Sequence, residues 1–158
     1  MRPGLEKPPT LAILSPYSEQ VRRLKAVIDD NQEGFEALSD LSPAIDTNRY
    51  CGTVDSFQGN EADVVIVSLV RNNHHGSLRR ALGFLSDPRR MNVLLSRAKS
   101  CLYVVGSLEF MRSTIESSAG TDAIEEASFL GRFLEALETQ RQCGKAVIIT
   151  PERMVSGK

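Results

Sequence analysis

Short runs of apolar residues alternate along the chain with longer stretches in which apolar positions recur every three or four residues. The first run, Leu11 to Leu14, ends at Ser15-Pro16. It predicts a buried strand followed by a helix start, with Ser15 as cap and Pro16 at the first helical position, where its missing N–H costs nothing. Tyr17, Val21, Leu24 and Ile28 then follow on one helical face, which fades at Asp29-Asp30-Asn31. Residues 31–48 are acidic and turn-rich and read as a surface loop or short helix. Tyr50 to Val54 and Val64 to Val70 read as the second and third strands, joined by a polar connection from Asp55 to Glu61. Asp87-Pro88 repeats the cap-and-proline signal, and Met91, Leu94, Leu95 and Ala98 fall at i, i+3, i+4 and i+7 of an amphipathic helix. Cys101 to Val105 predicts a fourth strand, and Ser107 opens a helix through Leu108, Met111 and Ile115. Asp122 with Glu125 resembles a capping box. The helix beyond it turns Leu130, Phe133, Leu134 and Leu137 inward, and Gly144 ends it. Ala146 to Ile149 reads as a fifth strand.

Strands that are apolar throughout and alternate with helices imply a mostly parallel sheet covered on both faces, a three-layer α/β/α sandwich. Ligands of such sheets meet the loops at the carboxyl ends of the strands, which here begin at Ser15, Asp55, Arg71 and Gly106. Residues 1–10 hold three prolines and read as a linker or trimmed edge, 11–150 as one domain and 151–158 as a tail. Hydrophobic residues at 41% and charged residues at 25% match ordinary globular usage, which excludes global disorder, a collagen repeat and a coiled coil. Cys51, Cys101 and Cys143 are odd in number and widely spaced, so buried free thiols in a reducing compartment are expected rather than disulfides or zinc. The amino-terminal stretch has no apolar signal core, and the longest apolar run is strand-sized. The expectation is a soluble intracellular protein, cytoplasmic or nuclear, with no membrane partner.

The net charge of −1 hides an uneven distribution. Arg71 to Arg112 carries eight basic residues against two acidic ones, a surplus of six, so the remainder of the chain carries −7. Seven of the eight are arginines, whose planar fork matches phosphate. They lie beside the loop containing Asn72, Asn73 and Gly76, so the Asp87 helix is a candidate anion-binding element, although a solvated helix face would carry the same residues. His74-His75 has no further ligand at metal-site spacing, and no metal site is expected.

Three segments give the chain a resemblance. Ile13-Leu14-Ser15-Pro16-Tyr17-Ser18-Glu19-Gln20 resembles motif IV of the superfamily 1 helicases. Thr53-Val54-Asp55-Ser56-Phe57-Gln58-Gly59-Asn60-Glu61 resembles their motif V region, and Asp87-Pro88-Arg89-Arg90-Met91-Asn92 with Ser96-Arg97-Ala98-Lys99 resembles motif VI. The order and spacing are those of the branch containing senataxin, the nonsense-mediated-decay helicase and related nuclease-helicases. The resemblance covers residues 11–106 and implies a RecA-like second motor domain. It implies that Arg97 is an arginine finger, which can contribute about 10³–10⁵ in rate to phosphoryl transfer. It places Gly59 and Glu61 beside the nucleotide, with Gln58 coupling nucleotide state to nucleic acid. Ser15, Pro16, Tyr17, Thr53, Ser56 and Arg71 would contact a single strand of DNA or RNA. Arg90 and Asn92 would brace motif VI against motif V. Asp55, Ser56 and Asn92 could equally serve as turn and cap residues. Relatives carry a basic residue in motif IV where Ser18 and Val21 stand here, so Arg22 or Arg23, one turn on, is the candidate substitute.

No G-x-x-x-x-G-K-[ST] occurs in the 158 residues, and no acidic pair follows an apolar strand. The resemblance therefore implies that ATP and Mg²⁺ are held by a first motor domain bearing Walker A and B, and that this chain alone does not hydrolyse ATP. The alternative is a stand-alone nucleic-acid- or protein-binding adaptor that kept the fold without motor activity. A third reading is an α/β enzyme that binds a phosphorylated small molecule.

Overall fold

The computed structural model describes residues 7–46, 49–70, 83–118 and 124–156. The expectations placed on Arg71, Arg79, Arg80, His74, His75, Asp122, residues 1–6 and residues 157–158 lie outside them.

Five strands form one sheet: β1 (Thr10–Ser15), β2 (Ser42–Pro43), β3 (Cys51–Thr53), β4 (Ala62–Ser68) and β5 (Ala98–Val105). Every pairing is parallel. β4 lies between β1 and β5, while β2 and β3 sit end to end along the other edge of β1. Parallel neighbours need crossovers, and the chain supplies them on both faces. Helix α1 (Ser18–Asp30) covers one face, burying Val21 with Leu11, Ile13 and Cys51, and Leu24 and Ile28 pack at the margin as their spacing predicts. The other face carries α2 (Pro88–Leu95), α3 (Leu108–Ser118) and α4 (Ile124–Gln142). Its core joins Ala12 and Leu14 of β1 and Val65 and Val67 of β4 to Phe57, Met91, Leu94, Phe110, Met111 and Leu130. The fold is the expected three-layer α/β/α sandwich, of RecA-like type.

At α2 the terminus is as read. Asp87 is the cap, its carboxylate accepting the Arg89 and Arg90 backbone N–H groups at 3.0 and 3.2 Å, with Pro88 at the first position. At α1 the expectation is corrected. The helix begins at Ser18 with Tyr17 as cap, and the Ser15 hydroxyl instead accepts the Tyr17 N–H at 3.4 Å, which turns the chain out of β1.

Other boundaries differ as well: β3 and β4 run Cys51–Thr53 and Ala62–Ser68 where Tyr50–Val54 and Val64–Val70 are expected. Ala98 opens β5 rather than closing α2, because the helix stops at Leu95 and the chain turns through Ser96-Arg97. Residues 32–40 form a 3-10 stretch kinked at Phe35, which leads into the two-residue β2. The expected strand at Ala146–Ile149 is absent. That segment is irregular, has no strand partner and leaves Val147 70% exposed, and a short helix, α5 (Pro151–Ser156), follows it.

Of the three thiols only Cys51 is buried, and burial pushes it up to about 11; Cys101 and Cys143 are exposed. No described helix is long and apolar enough to cross a membrane.

Candidate nucleotide and strand site

Two segments run side by side from the carboxyl end of the sheet to its amino end. The first is the connection Val54–Glu61, which leaves β3 level with Ser15 and enters β4 level with the start of β1. The second is α2, which starts near Tyr17, whose hydroxyl accepts the Phe84 N–H at 3.5 Å, and ends where the Arg97 carbonyl accepts the Ala62 N–H at 3.1 Å. Phe57 fixes the connection against the sheet, and Met91 and Leu94 fix the helix; all three are almost fully buried.

At the carboxyl end, Thr53 and Ser56 close a turn on each other. The Ser56 N–H donates to the Thr53 hydroxyl at 3.1 Å, and the Ser56 hydroxyl donates to the Thr53 carbonyl at 2.9 Å. Gly52 packs closely beside them: a Cβ there would lie 2.7 Å from the Ile45 Cδ1 and 3.1 Å from the Ser56 hydroxyl, so the Ile45 side chain would have to shift. Pro16 and Tyr17, between β1 and α1, flank this turn and are half-buried. Ser15 is corrected as a strand contact: its side chain is 0% exposed, so it shapes the turn and cannot touch a strand directly.

Beside this turn, a cavity of about 250 Å³ opens between the connection and α2, lined by Val54, Asp55, Gln58, Arg89, Arg90 and Val93. Arg90 lies 3.9 Å from the Asp55 carboxylate and 3.8 Å from that of Asp87, with its guanidinium 5.9 Å from the Phe84 ring centre. Arg90 thus approaches both α2's cap and the Val54–Glu61 connection. The Asn92 side chain is exposed and makes no hydrogen bond among the described residues.

The amino end gathers Gly59, Asn60, Glu61, Arg97 and Lys99. Gly59 takes a positive φ of 85°, and nothing lies within 4 Å of where its Cβ would be, which leaves the backbone open to a ligand. The carboxylate of Glu61 and the ammonium of Lys99 are 4.0 Å apart and mostly exposed. The three nitrogens of the Arg97 guanidinium are all engaged within the chain. Nε donates to the Val93 carbonyl at 2.7 Å, one Nη to the Asn60 carbonyl at 3.2 Å, and the other to the Ser96 hydroxyl at 2.9 Å. The sequence could not mark the Asn60 carbonyl as a partner, because a backbone acceptor has no residue signature.

Arg22 is not brought to this cluster. It sits on α1, across the sheet from α2, and donates to Glu19 at 2.7 and 2.8 Å. Hydrogen bonds from Arg22 and then Arg23 hold the exposed Glu19 carboxyl down at about 2. Among the described residues no group of three or more His, Cys, Asp or Glu side chains could hold a metal ion.

The chain matches the family AAA_12, described as an AAA domain, over residues 3–109. It is 44% identical over 113 residues to "Probable helicase MAGATAMA 3" of Arabidopsis thaliana, which covers 72% of this chain and 12% of that protein. It is 38% identical over 103 residues to the DNA polymerase alpha-associated DNA helicase A of Saccharomyces cerevisiae, covering 65% and 13%. It is 35% identical over 117 residues to Helicase SEN1 of the same yeast, covering 74% and 5%. The chain thus matches only a small part of the length of each of these relatives.

Proposed function

This chain belongs to the superfamily 1 helicases, in the AAA_12 family, and from that premise we propose that it is a second RecA-like motor domain, supplying one wall of an ATP site and part of a single-strand grip. The observation that carries this reading is the pairing of the motif V connection with the motif VI helix. Both span the sheet from a hydroxyl-bearing turn at one end to a cationic, glycine-opened edge at the other.

The residues at the amino end fit one side of a nucleotide. Gly59 exposes backbone, Glu61 offers acceptors for ribose hydroxyls, and Arg97 and Lys99 offer positive charge. ATP supplies the phosphoryl bond, and Mg²⁺ would be held by the Walker residues of a first motor domain. Arg97 would deliver charge to the γ-phosphate across the cleft, releasing its bonds to Asn60 and Ser96 to do so. Because the Arg97 and Asn60 bonds join the connection to the helix, that release would loosen the connection and move Thr53 and Ser56 along a bound strand. Phosphate contacts of this kind are indifferent to base sequence.

The test is ATP turnover by the 158-residue chain alone and by the two-domain protein, each with Arg97 and with Arg97→Ala. The chain alone should be inactive. In the two-domain protein Arg97→Ala should lower turnover by about 10³-fold or more and leave strand binding largely intact. Turnover by the chain alone, or full activity of Arg97→Ala, would sink the proposal. The engagement of all three Arg97 nitrogens favours a second reading, an adaptor in which Arg97 is structural. That reading expects Arg97→Ala to lower stability without changing the activity of any partner ATPase.

A further inference from the structure

A second basic site lies away from motifs IV, V and VI. Gly106-Ser107 leads from the carboxyl end of β5 into α3, whose second turn carries Arg112. Helix α4 returns beside it, bringing Glu138 and Arg141 back to the same place, and residues 146–148 with Arg153 of α5 close the far side. Together they line an open cavity of about 350 Å³. Three arginines from three helices face one carboxylate. Arg141 is tied to Glu138 by hydrogen bonds of 2.9 and 2.7 Å, and Gln142 adds a third at 3.3 Å. Glu138 is thereby satisfied; hydrogen bonds from Arg141 first, with a weaker through-space attraction from Arg112, hold its carboxyl below the usual range, and Arg112 makes no hydrogen bond to it among the described residues. Ala146, Val147 and Ile148 make one side of the cavity apolar, with Val147 mostly exposed.

We propose that this cavity is a phosphodiester site, occupied by the backbone of a single nucleic-acid strand beyond the Tyr17–Thr53 turn. This proposal rests on the strand-binding reading above. Three features support it. Arginine forks match phosphate oxygens. The one carboxylate in the lining among the described residues, Glu138, is already paired. The cavity also opens near the carboxyl end of β5, the sheet edge on which Thr53 and Tyr17 lie. Strands about 4.8 Å apart place β5 about 15 Å from β3, within reach of one continuous strand of a few nucleotides. The apolar side suits the face of a base or sugar.

The test is binding of the 158-residue chain to oligothymidylates of about 4 and about 16 nucleotides across a salt series. The double variant Arg112→Ala/Arg153→Ala should weaken the long strand by roughly tenfold per arginine and reduce its salt slope by about 0.7 for each phosphate lost. It should leave the short strand unchanged, and Tyr17→Ala should weaken both. Arg112→Lys/Arg153→Lys should retain the salt slope and lose part of the affinity, since it keeps charge without the fork. If the double alanine variant binds the long strand like the parent while Tyr17→Ala does not, the cavity is overturned and the motif grip stands. If the parent binds neither strand, both readings fall. Displacement of the long strand by a decaglutamate as readily as by inorganic phosphate-linked competitors of equal charge would overturn the phosphodiester assignment in favour of an acidic peptide.

Discussion

The two ends of the motif V–VI pair are joined in different ways. At the amino end, Arg97 spends its whole guanidinium on Val93, Asn60 and Ser96, and its carbonyl accepts the Ala62 N–H that starts β4. At the carboxyl end, the link is Arg90 to Asp55 at 3.9 Å, shared with Asp87 and exposed to water. Both links join the same two segments, yet one is a set of directed hydrogen bonds, part-buried at Val93 and exposed at Asn60 and Ser96, and the other is a loose ion pair. Directed bonds fix a geometry, whereas an exposed pair tolerates sliding. A device that must keep a cation in a defined place at one end until a ligand draws it away, and let a strand grip shift at the other, would be divided in this way.

The comparison depends on the buried anchor between the ends, so the largest effect should come from removing it. Phe57 is 1% exposed in the core beneath the connection. Phe57→Ala should cost about 3–5 kcal/mol, a large part of the stability of a domain this size. Urea unfolding measures the loss. Amide exchange should accelerate at both Asn60 and Ser56. Acceleration at one end only would mean that the two ends are not carried on one segment.

Much of this arrangement was legible in the sequence, and its gaps have physical causes. The Asp87-Pro88 start, the Val21–Leu24–Ile28 face and the apolar strands β1 and β4 could be read because each signal is local: a cap three residues from its N–H groups, or a periodicity set by one element. Ala146–Ile149 was misread because an apolar run becomes a strand only when an open sheet edge meets it, and that depends on the path of α4. The start of β5 was placed at Cys101, because Lys99 and Ser100 are polar and sit exposed on the strand. For the site, the resemblance implies contact between the Asp87 helix and the Asp55 connection, and Arg90 lies 3.9 Å from Asp55; the bond from Arg97 to Asn60 was not legible, since its acceptor is a backbone carbonyl. The burial of Ser15 and the separation of Arg22 from Arg97 depend on which face each element takes, and no spacing along the chain encodes that.

A sharper test of the amino end is Arg97→Ala in the isolated chain. It removes three hydrogen bonds from a half-buried fork and leaves the Asn60 and Val93 carbonyls to find water. The expected cost is about 1–3 kcal/mol, read as a fall in the urea midpoint at constant slope. Arg97→Lys should recover less than half of this, because a single ammonium cannot reproduce the fork. A cost below about 0.5 kcal/mol would put this end on a par with an ordinary surface residue and abolish the contrast.

The smallest expected effect is at the carboxyl end, and it is the most discriminating. Side chains of Arg90 and Asp55 are 54% and 68% exposed, so water screens their attraction and both pay rotamer entropy to meet. Asp87 competes for the same guanidinium at 3.8 Å, which means that loss of Asp55 need not leave Arg90 without a partner. A double-mutant cycle with Arg90→Ala and Asp55→Ala should therefore give a coupling of about 0.5 kcal/mol or less. It should vanish in about 1 M salt, where the screening length falls to about 3 Å. Arg90→Ala alone should cost slightly more than the coupling, since it also loses the contact with the Phe84 ring. The Arg97–Asn60 link should be insensitive to the same salt, because its acceptor is a neutral carbonyl. A coupling above about 1 kcal/mol that persists in salt would make the carboxyl end as firm as the amino end, and the strand grip could then shift only with the whole domain.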